Sequence, residues 1–290
     1  MKPTRLALHS AAPRLGNVEA NVAAVAKAIA SREADLVVFP EMFLTGYCIG
    51  DDAQRLAFKD SDDRLEPIRK ACAQAKVHCV VGAPRTPRRG ITHNSALLFG
   101  PGGQQAAYDK RSLATFTTFE DGLFFKPGTT SPVFDTGVGR IGITICYDWF
   151  FPEFARAQAI AGADLLLNIS ASPMTSQRFF EALMPARAIE NACFTAYSNV
   201  VGPQDGVVFW GGSQAWGPRG TLLGRLDALK EGRTVVELDW DDLGPAREFR
   251  PTLRDGNLDA IPRPAVRAAP TKSRAKAKGQ AAKTKGKKAR

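Results

Sequence analysis

The run Ile141-Gly-Ile-Thr-Ile145 has the length and apolarity of a buried strand, and it stops abruptly at Cys146-Tyr-Asp148. Pro152 suits the first turn of a helix, where its missing N–H costs nothing, and the Ala-rich stretch 153–161 continues that helix. A buried strand leading through a short turn into a helix commits the chain to the α/β class. It also leaves Cys146 at the turn, close to backbone N–H groups and the positive end of a helix dipole. That setting is expected to favour the thiolate, the nucleophilic form. A cysteine closing an apolar strand can equally be a small core residue.

Two other segments bear on that choice. Asp35-Leu-Val-Val-Phe-Pro-Glu41 reads as a short strand that delivers a carboxylate to its carboxyl end, followed by the loop Met42 to Tyr47. In α/β sheets ligands bind at the carboxyl ends of strands, and a carboxylate among bulky apolar side chains there can shuttle protons near neutrality. Tyr108-Asp-Lys-Arg-Ser-Leu113, with Phe119-Glu-Asp-Gly-Leu-Phe-Phe-Lys-Pro-Gly128 after it, offers Lys110 as a fixed cation and Glu120 as a second carboxylate. Each has a plain alternative: Glu41 as a turn cap, Lys110 on a solvated face, Glu120 paired with a neighbouring base.

Elsewhere the pattern is regular. Strand 4–9 precedes a helix over 17–32, striped by Val18, Val22, Val25 and Ile29. Strand 35–39, a helix near 62–75 and strand 77–82 follow. Gly100-Pro-Gly-Gly103 joins 94–99 and 104–108 as a hairpin. Strand 141–146, helix 152–161, strand 164–168, a helix near 176–191 and strand 193–198 repeat the rhythm, with short strands near 207–210, 213–216 and 234–238. Ala34-Asp-Leu-Val-Val-Phe39 and Ala163-Asp-Leu-Leu-Leu-Asn168 look alike, each after a helix.

The chain carries a net charge of +10, but that charge is unevenly placed. Residues 263–290 hold eleven of the 39 bases and no acid, which leaves 28 bases against 29 acids, a net −1, over 1–262. The tail is Ala, Lys, Pro and Gly without aromatic residues, a composition expected to stay disordered; the division is a domain over 1–262 and a basic tail over 263–290. Contact with nucleic acid through the tail, by counterion release, is conceivable but without sequence specificity, against the plainer reading of a solvated extension. The five cysteines have no framework spacing, which fits a reducing, cytoplasmic setting. No segment reaches the roughly 20 apolar residues of a membrane span, so no membrane partner is expected.

Taken together, the segments resemble the nitrilase superfamily of carbon–nitrogen hydrolases over most of residues 4–240. The resemblance rests on Leu36-Val-Val-Phe-Pro-Glu41, Asp109-Lys110, the Phe119-Glu120 to Pro127-Gly128 segment and Ile145-Cys-Tyr-Asp148 with Phe151-Pro-Glu153. It also rests on Ala186-Arg-Ala-Ile-Glu-Asn191, Ser198-Asn-Val-Val-Gly202 and Phe209-Trp-Gly-Gly-Ser213. It implies a four-layer α-β-β-α sandwich that pairs through helices into homodimers or higher assemblies. It implies Glu41 as general base, Lys110 and the Tyr147 N–H as oxyanion donors, Cys146 as nucleophile, and Glu120 as the carboxylate that orients Lys110 or the hydrolytic water. The substrate would be a small-molecule amide.

Within the resemblance, Tyr147-Asp148-Trp149-Phe150 is similar to the amidase branch, which implies cleavage of a small carboxamide or N-carbamoyl compound through a thioester. True nitrilases typically carry Trp-Glu there, and ω-amidases of dicarboxylates usually carry Arg where Phe150 stands; both remain the alternatives. Phe43, Tyr47, Phe116, Trp149, Phe150 and Trp210 are candidates for an apolar pocket wall, though each can be ordinary core. His9 stands where many relatives have Gln. A binding protein tethered to nucleic acid by its tail is the reading from another class, and ammonia release separates it from an enzyme. Gly211-Gly-Ser-Gln-Ala215 approaches a serine-hydrolase elbow but ends in Ala. His9, His78 and His93 are scattered, no metal-ligand spacing or phosphate loop occurs, and no cofactor or metal is expected.

Overall fold

In the computed structural model, which describes residues 2–256 and the strand at 266–268, each half of the chain is centred on one sheet. The first half supplies β1 (Thr4–Ser10), β2 (Leu36–Val38), β3 (His78–Arg88), β4 (Ile91–Phe99) and β5 (Gln105–Asp109). The second supplies β6 (Val133–Thr136), β7 (Gly139–Ile145), β8 (Leu165–Ser170) and β9 (Phe194–Asn199). Then come the hairpin β10 (Val201–Gln204) and β11 (Val207–Trp210), and after it β12 (Gln214–Trp216), β13 (Leu222–Arg225), β14 (Gly232–Leu238) and β15 (Val266–Ala268). The strand orders are β14-β1-β2-β3-β4-β5 and β13-β12-β9-β8-β7-β6-β15.

Side-chain alternation shows how the layers stack. Leu6, Leu8, Leu36, Val38 and Val80 of the first sheet share a core with Ile141, Ile143, Leu165, Leu167 and Ile169 of the second. The intervening Ala7, Val37, Cys79 and Val81 pack instead against Val22, Val25 and Ile29 of helix Val18–Ala30, and against Ile68 and Cys72 of helix Glu66–Ala75. Helices Pro152–Ile160 and Gln177–Asn191 cover the second sheet through Ala155, Ala159, Phe180 and Met184. The result is the expected α-β-β-α sandwich. It explains why β2 reads as a continuous apolar run and β8 opens on one, Leu165 to Leu167: both faces of each strand are covered.

The two look-alike segments occupy equivalent places. β2 lies parallel between β1 and β3, and β8 lies parallel between β7 and β9. Asp35 N–H donates to Arg5 and its carbonyl accepts from His78; Asp164 does the same with Arg140 and Phe194.

The edge strands β6, β10 and β13 were not expected from sequence, being short or broken by Gly and Pro. Within the stretch expected to lack structure, Val266–Ala268 adds a parallel strand to β6; the rest of 263–290 lies outside the described residues. No helix among the described residues is long and apolar enough to cross a membrane.

Candidate active site

Glu41 emerges from the carboxyl end of β2 and is wholly buried. Gly82 in β3 makes the approach possible, since a Cβ there would press into the backbone of Glu41 and Met42. Glu41 Oε1 accepts from Lys110 Nζ at 2.8 Å and from Asn94 Nδ2 at 2.7 Å, and Oε2 accepts from the Ala171 N–H at 2.6 Å, just past β8. Lys110 leaves the end of β5, its N–H donating to the Asn94 carbonyl at 2.8 Å. Its buried ammonium donates a second time, to Asp121 Oδ2 at 2.6 Å. That oxygen also accepts from the Ala114 N–H, and Oδ1 accepts from the Tyr47 hydroxyl at 2.8 Å. Strand ends from both sheets therefore converge on one buried lysine.

Cys146 follows β7 directly and opens a 3-10 turn, Cys146–Phe150, ahead of helix Pro152–Ile160. Its φ is 44°, in the left-handed region that a residue with a Cβ seldom adopts. Asp148 holds this turn. Its carboxylate accepts from the Ile145 N–H at 3.0 Å, the Tyr108 hydroxyl at 2.7 Å and the Ser112 N–H at 2.7 Å. The turn bearing Cys146 is thereby tied to the segment bearing Lys110.

Burial pushes the Glu41 carboxyl up; Lys110 pulls it back and Asp121 adds to the rise. Burial also disfavours the Lys110 ammonium, but Asp121, Glu41 and Cys146 outweigh it and hold the lysine charged, well above its ordinary range. The Cys146 thiol is pushed up by burial and by the charge of Glu41, with Lys110 only partly opposing. This corrects the expectation of a resting thiolate: desolvation beside two carboxylates outweighs the pull of Lys110 and the Ser170 hydrogen bond. Cys146 rests as a thiol and needs a base.

The expectation for Glu120 also needs correction. Its side chain is exposed and lines a neighbouring cavity of about 490 Å³, while Asp121 takes the contact with Lys110. The loop after Ala114 swings out through Thr117, at φ 55°, and returns with the Asp121 N–H bonded to the Ala114 carbonyl at 2.9 Å, which turns Asp121 rather than Glu120 inward.

Cys146 lies in a cleft of about 260 Å³ walled by Phe116, Phe119, Tyr147, Phe150, Phe179 and Phe180. Of the six expected wall residues, Phe116 and Phe150 are there. Tyr47 faces the neighbouring cavity and packs edge-on against Phe119. Phe43 packs on Phe39 between sheet and helices. Trp149 and Trp210 are buried in the core, Trp210 stacking on Tyr197 at 5.5 Å. Residue type supplied bulk and apolarity, but not the face on which each ring would lie.

Sequence reasoning also missed Asn94, Ala171 and Asp121. The acidic doublet 120–121 and the buried polar run Thr92 to Ser95 in β4 were the available signals. Ser213 is buried and donates to the His9 carbonyl at 2.9 Å, a structural tie between sheets. His9 stacks on Phe39 at 4.2 Å. Among the described residues, no group of three His, Cys, Asp or Glu is placed to hold a metal ion.

The carbon–nitrogen hydrolase family model matches residues 5–248. An (R)-stereoselective amidase of a Pseudomonas species is 33% identical over 88% of this chain and 92% of its own. A 2-oxoglutaramate amidase of Bacillus subtilis is 29% identical over 79% and 87%. The crystal structure of an amidase from Nesterenkonia superposes with a TM-score of 0.75 at 30% identity, covering 88% of this chain and 94% of that one. A variant of that amidase carries the acetamide moiety of fluoroacetamide on its active-site cysteine.

Proposed function

The chain belongs to the carbon–nitrogen hydrolase family and is an amidase-type member of it; from that premise we propose that it cleaves the C–N bond of a small carboxamide or N-carbamoyl compound by Glu41–Lys110–Cys146 catalysis. The observation that carries the reading is the buried Lys110 ammonium, 2.8 Å from Glu41 and 2.6 Å from Asp121, beside a cysteine held at φ 44°.

Glu41 takes the thiol proton as Cys146 Sγ bonds to the substrate carbonyl carbon. The oxygen gains charge facing Lys110 Nζ and the Tyr147 N–H; losing one such donor costs about 2.7–4 kcal/mol of barrier. As the C–N bond breaks, Glu41 returns its proton to the leaving nitrogen, and ammonia or amine departs from a thioester. Glu41 then deprotonates a water that attacks the thioester carbon. Collapse of that adduct releases the acid, and the proton held by Glu41 restores the thiol. The Asn94 and Ala171 donors fix the orientation of the Glu41 carboxylate. Asp121 keeps Lys110 charged and aimed when Glu41 is protonated and its pull is lost.

Ammonia release from propionamide, glutaramate, N-carbamoylputrescine and a nitrile tests the reading. Turnover of an amide or ureido compound, abolished in Cys146→Ala, is expected. Silence across the panel rejects it, and preference for the nitrile or for glutaramate would favour a nitrilase or an ω-amidase.

A further inference from the structure

We infer that the acyl group this site accepts is uncharged and apolar, aryl or branched alkyl, held by a belt of aromatic rings whose mouth is formed by Phe116 and Phe179; this rests on the amide-hydrolysis reading above. The rings around Cys146 touch in sequence. Phe119 meets Phe116 at 5.5 Å, Phe116 meets Tyr147 at 4.9 Å, and Tyr147 meets Phe150 at 5.7 Å. Phe150 then meets Phe179 at 6.1 Å and Phe180 at 5.5 Å, both edge to face. Ala114 and Pro173 fill the wall between them, and Ser172 and Ser176 add hydroxyls beside that of Tyr147.

Among the described residues, no Asp, Glu, Lys, Arg or His side chain lines this cleft. The charges nearest Cys146 are already committed to one another: Lys110 to Glu41 and Asp121, and Asp121 also to Tyr47. A carboxylate or ammonium on the acyl group would leave water for a wall whose described residues offer no counter-ion, a transfer that burial disfavours. Aromatic faces can attract a cation, but they do not replace the hydrogen bonds that an ammonium makes to water.

At about 260 Å³ the cleft lies below the ~300–1,000 Å³ typical of drug-sized ligand sites, so the acyl group is small. Two of the rings are open to water, Phe116 at 44% and Phe179 at 55% exposure. Exposed rings continuous with a catalytic cleft are what an apolar ligand would cover.

The test compares kcat/KM for amides of matched shape: 4-methylpentanamide against succinamate, which replaces the isopropyl end by carboxylate, and 4-aminobutanamide, which ends in ammonium. Benzamide and acetamide complete the set. The uncharged branched and aryl amides are expected to exceed both charged ones at least ~100-fold, the discrimination apolar pockets achieve through one or two missing contacts. Equal or better turnover of either charged amide, with acetamide still hydrolysed, overturns this inference and leaves amide hydrolysis standing. No ammonia from any of them rejects both.

Phe179→Ala and Phe116→Ala, at exposed positions where folding is little affected, should each lower the 4-methylpentanamide-to-acetamide ratio of kcat/KM at least fivefold. Phe179→Arg should raise the succinamate-to-4-methylpentanamide ratio at least tenfold. Ratios unmoved by all three substitutions would show that the belt does not touch the acyl group.

Discussion

The Lys110 ammonium and the Asp121 carboxylate meet at 2.6 Å across eleven residues of chain, both withdrawn from water. Lys110 also holds Glu41, so the cation is a hub whose aim depends on two acids at once. Removing either acid leaves the other to pull the ammonium towards itself. Misplacing a catalytic group by about 1 Å can cost roughly 10²-fold in rate. Asp121→Asn is therefore expected to lower kcat about a hundredfold, while Glu120→Gln, on an exposed side chain, changes it by less than about twofold. Steady-state kinetics of the two variants side by side decide between the neighbouring acids.

Asp148 works through Cys146 rather than on substrate. Asp148→Asn replaces an acceptor shared by Ile145, Tyr108 and Ser112 with a group that cannot satisfy all of them. An unsatisfied buried partner costs about 1–3 kcal/mol. The thermal midpoint should fall by several degrees, and kcat should fall more than KM rises, because the turn bearing Cys146 loosens.

Gly82→Ala would push the backbone of Glu41 and Met42 away from β3. The fold should survive, as judged by circular dichroism, because the displaced segment is a loop. Activity should fall about a hundredfold, since the base moves out of line with Cys146. Near-normal turnover would mean that Glu41 does not need its present position.

His9 and His78 are both held down to about 4 by burial, with Arg233 adding to the effect at His9. Unfolded, they titrate near the ordinary ~6.5, so between about 6.5 and 4 the unfolded chain binds more protons. The stability that comes from keeping these rings neutral is complete above ~6.5 and is lost as pH falls towards ~4, by about 3 kcal/mol for each. His9→Gln removes one contribution. The stability of the wild type relative to that variant should drop as pH is lowered through this window, measured by urea melts at pH 7, 5.5 and 4.5. A difference independent of pH would contradict the burial argument.

Much of this was legible in the chain. β2 and β7 are buried along nearly their whole length, so their central runs are apolar, and the residues that follow them, Glu41 and Cys146, stand out at the strand ends. Lys110 was found through its neighbours in the same segment. What escaped depended on one-residue choices of direction. Whether residue 120 or 121 turns inward is set by the Thr117 loop and one hydrogen bond to Ala114, which leave no periodic trace. The ring positions failed for a related reason. Trp149 and Phe150 are consecutive in a 3-10 turn, yet one is buried in the core and the other faces the cleft. The protonation of Cys146 was misjudged because desolvation is a property of the assembled site, not of the turn alone.

The most direct test is acid-quenched mass spectrometry during turnover of acetamide. The account predicts an acyl group on the peptide containing Cys146, absent from Cys146→Ala together with all ammonia release. An acyl group mapped to another residue, or turnover that survives in Cys146→Ala, would contradict it.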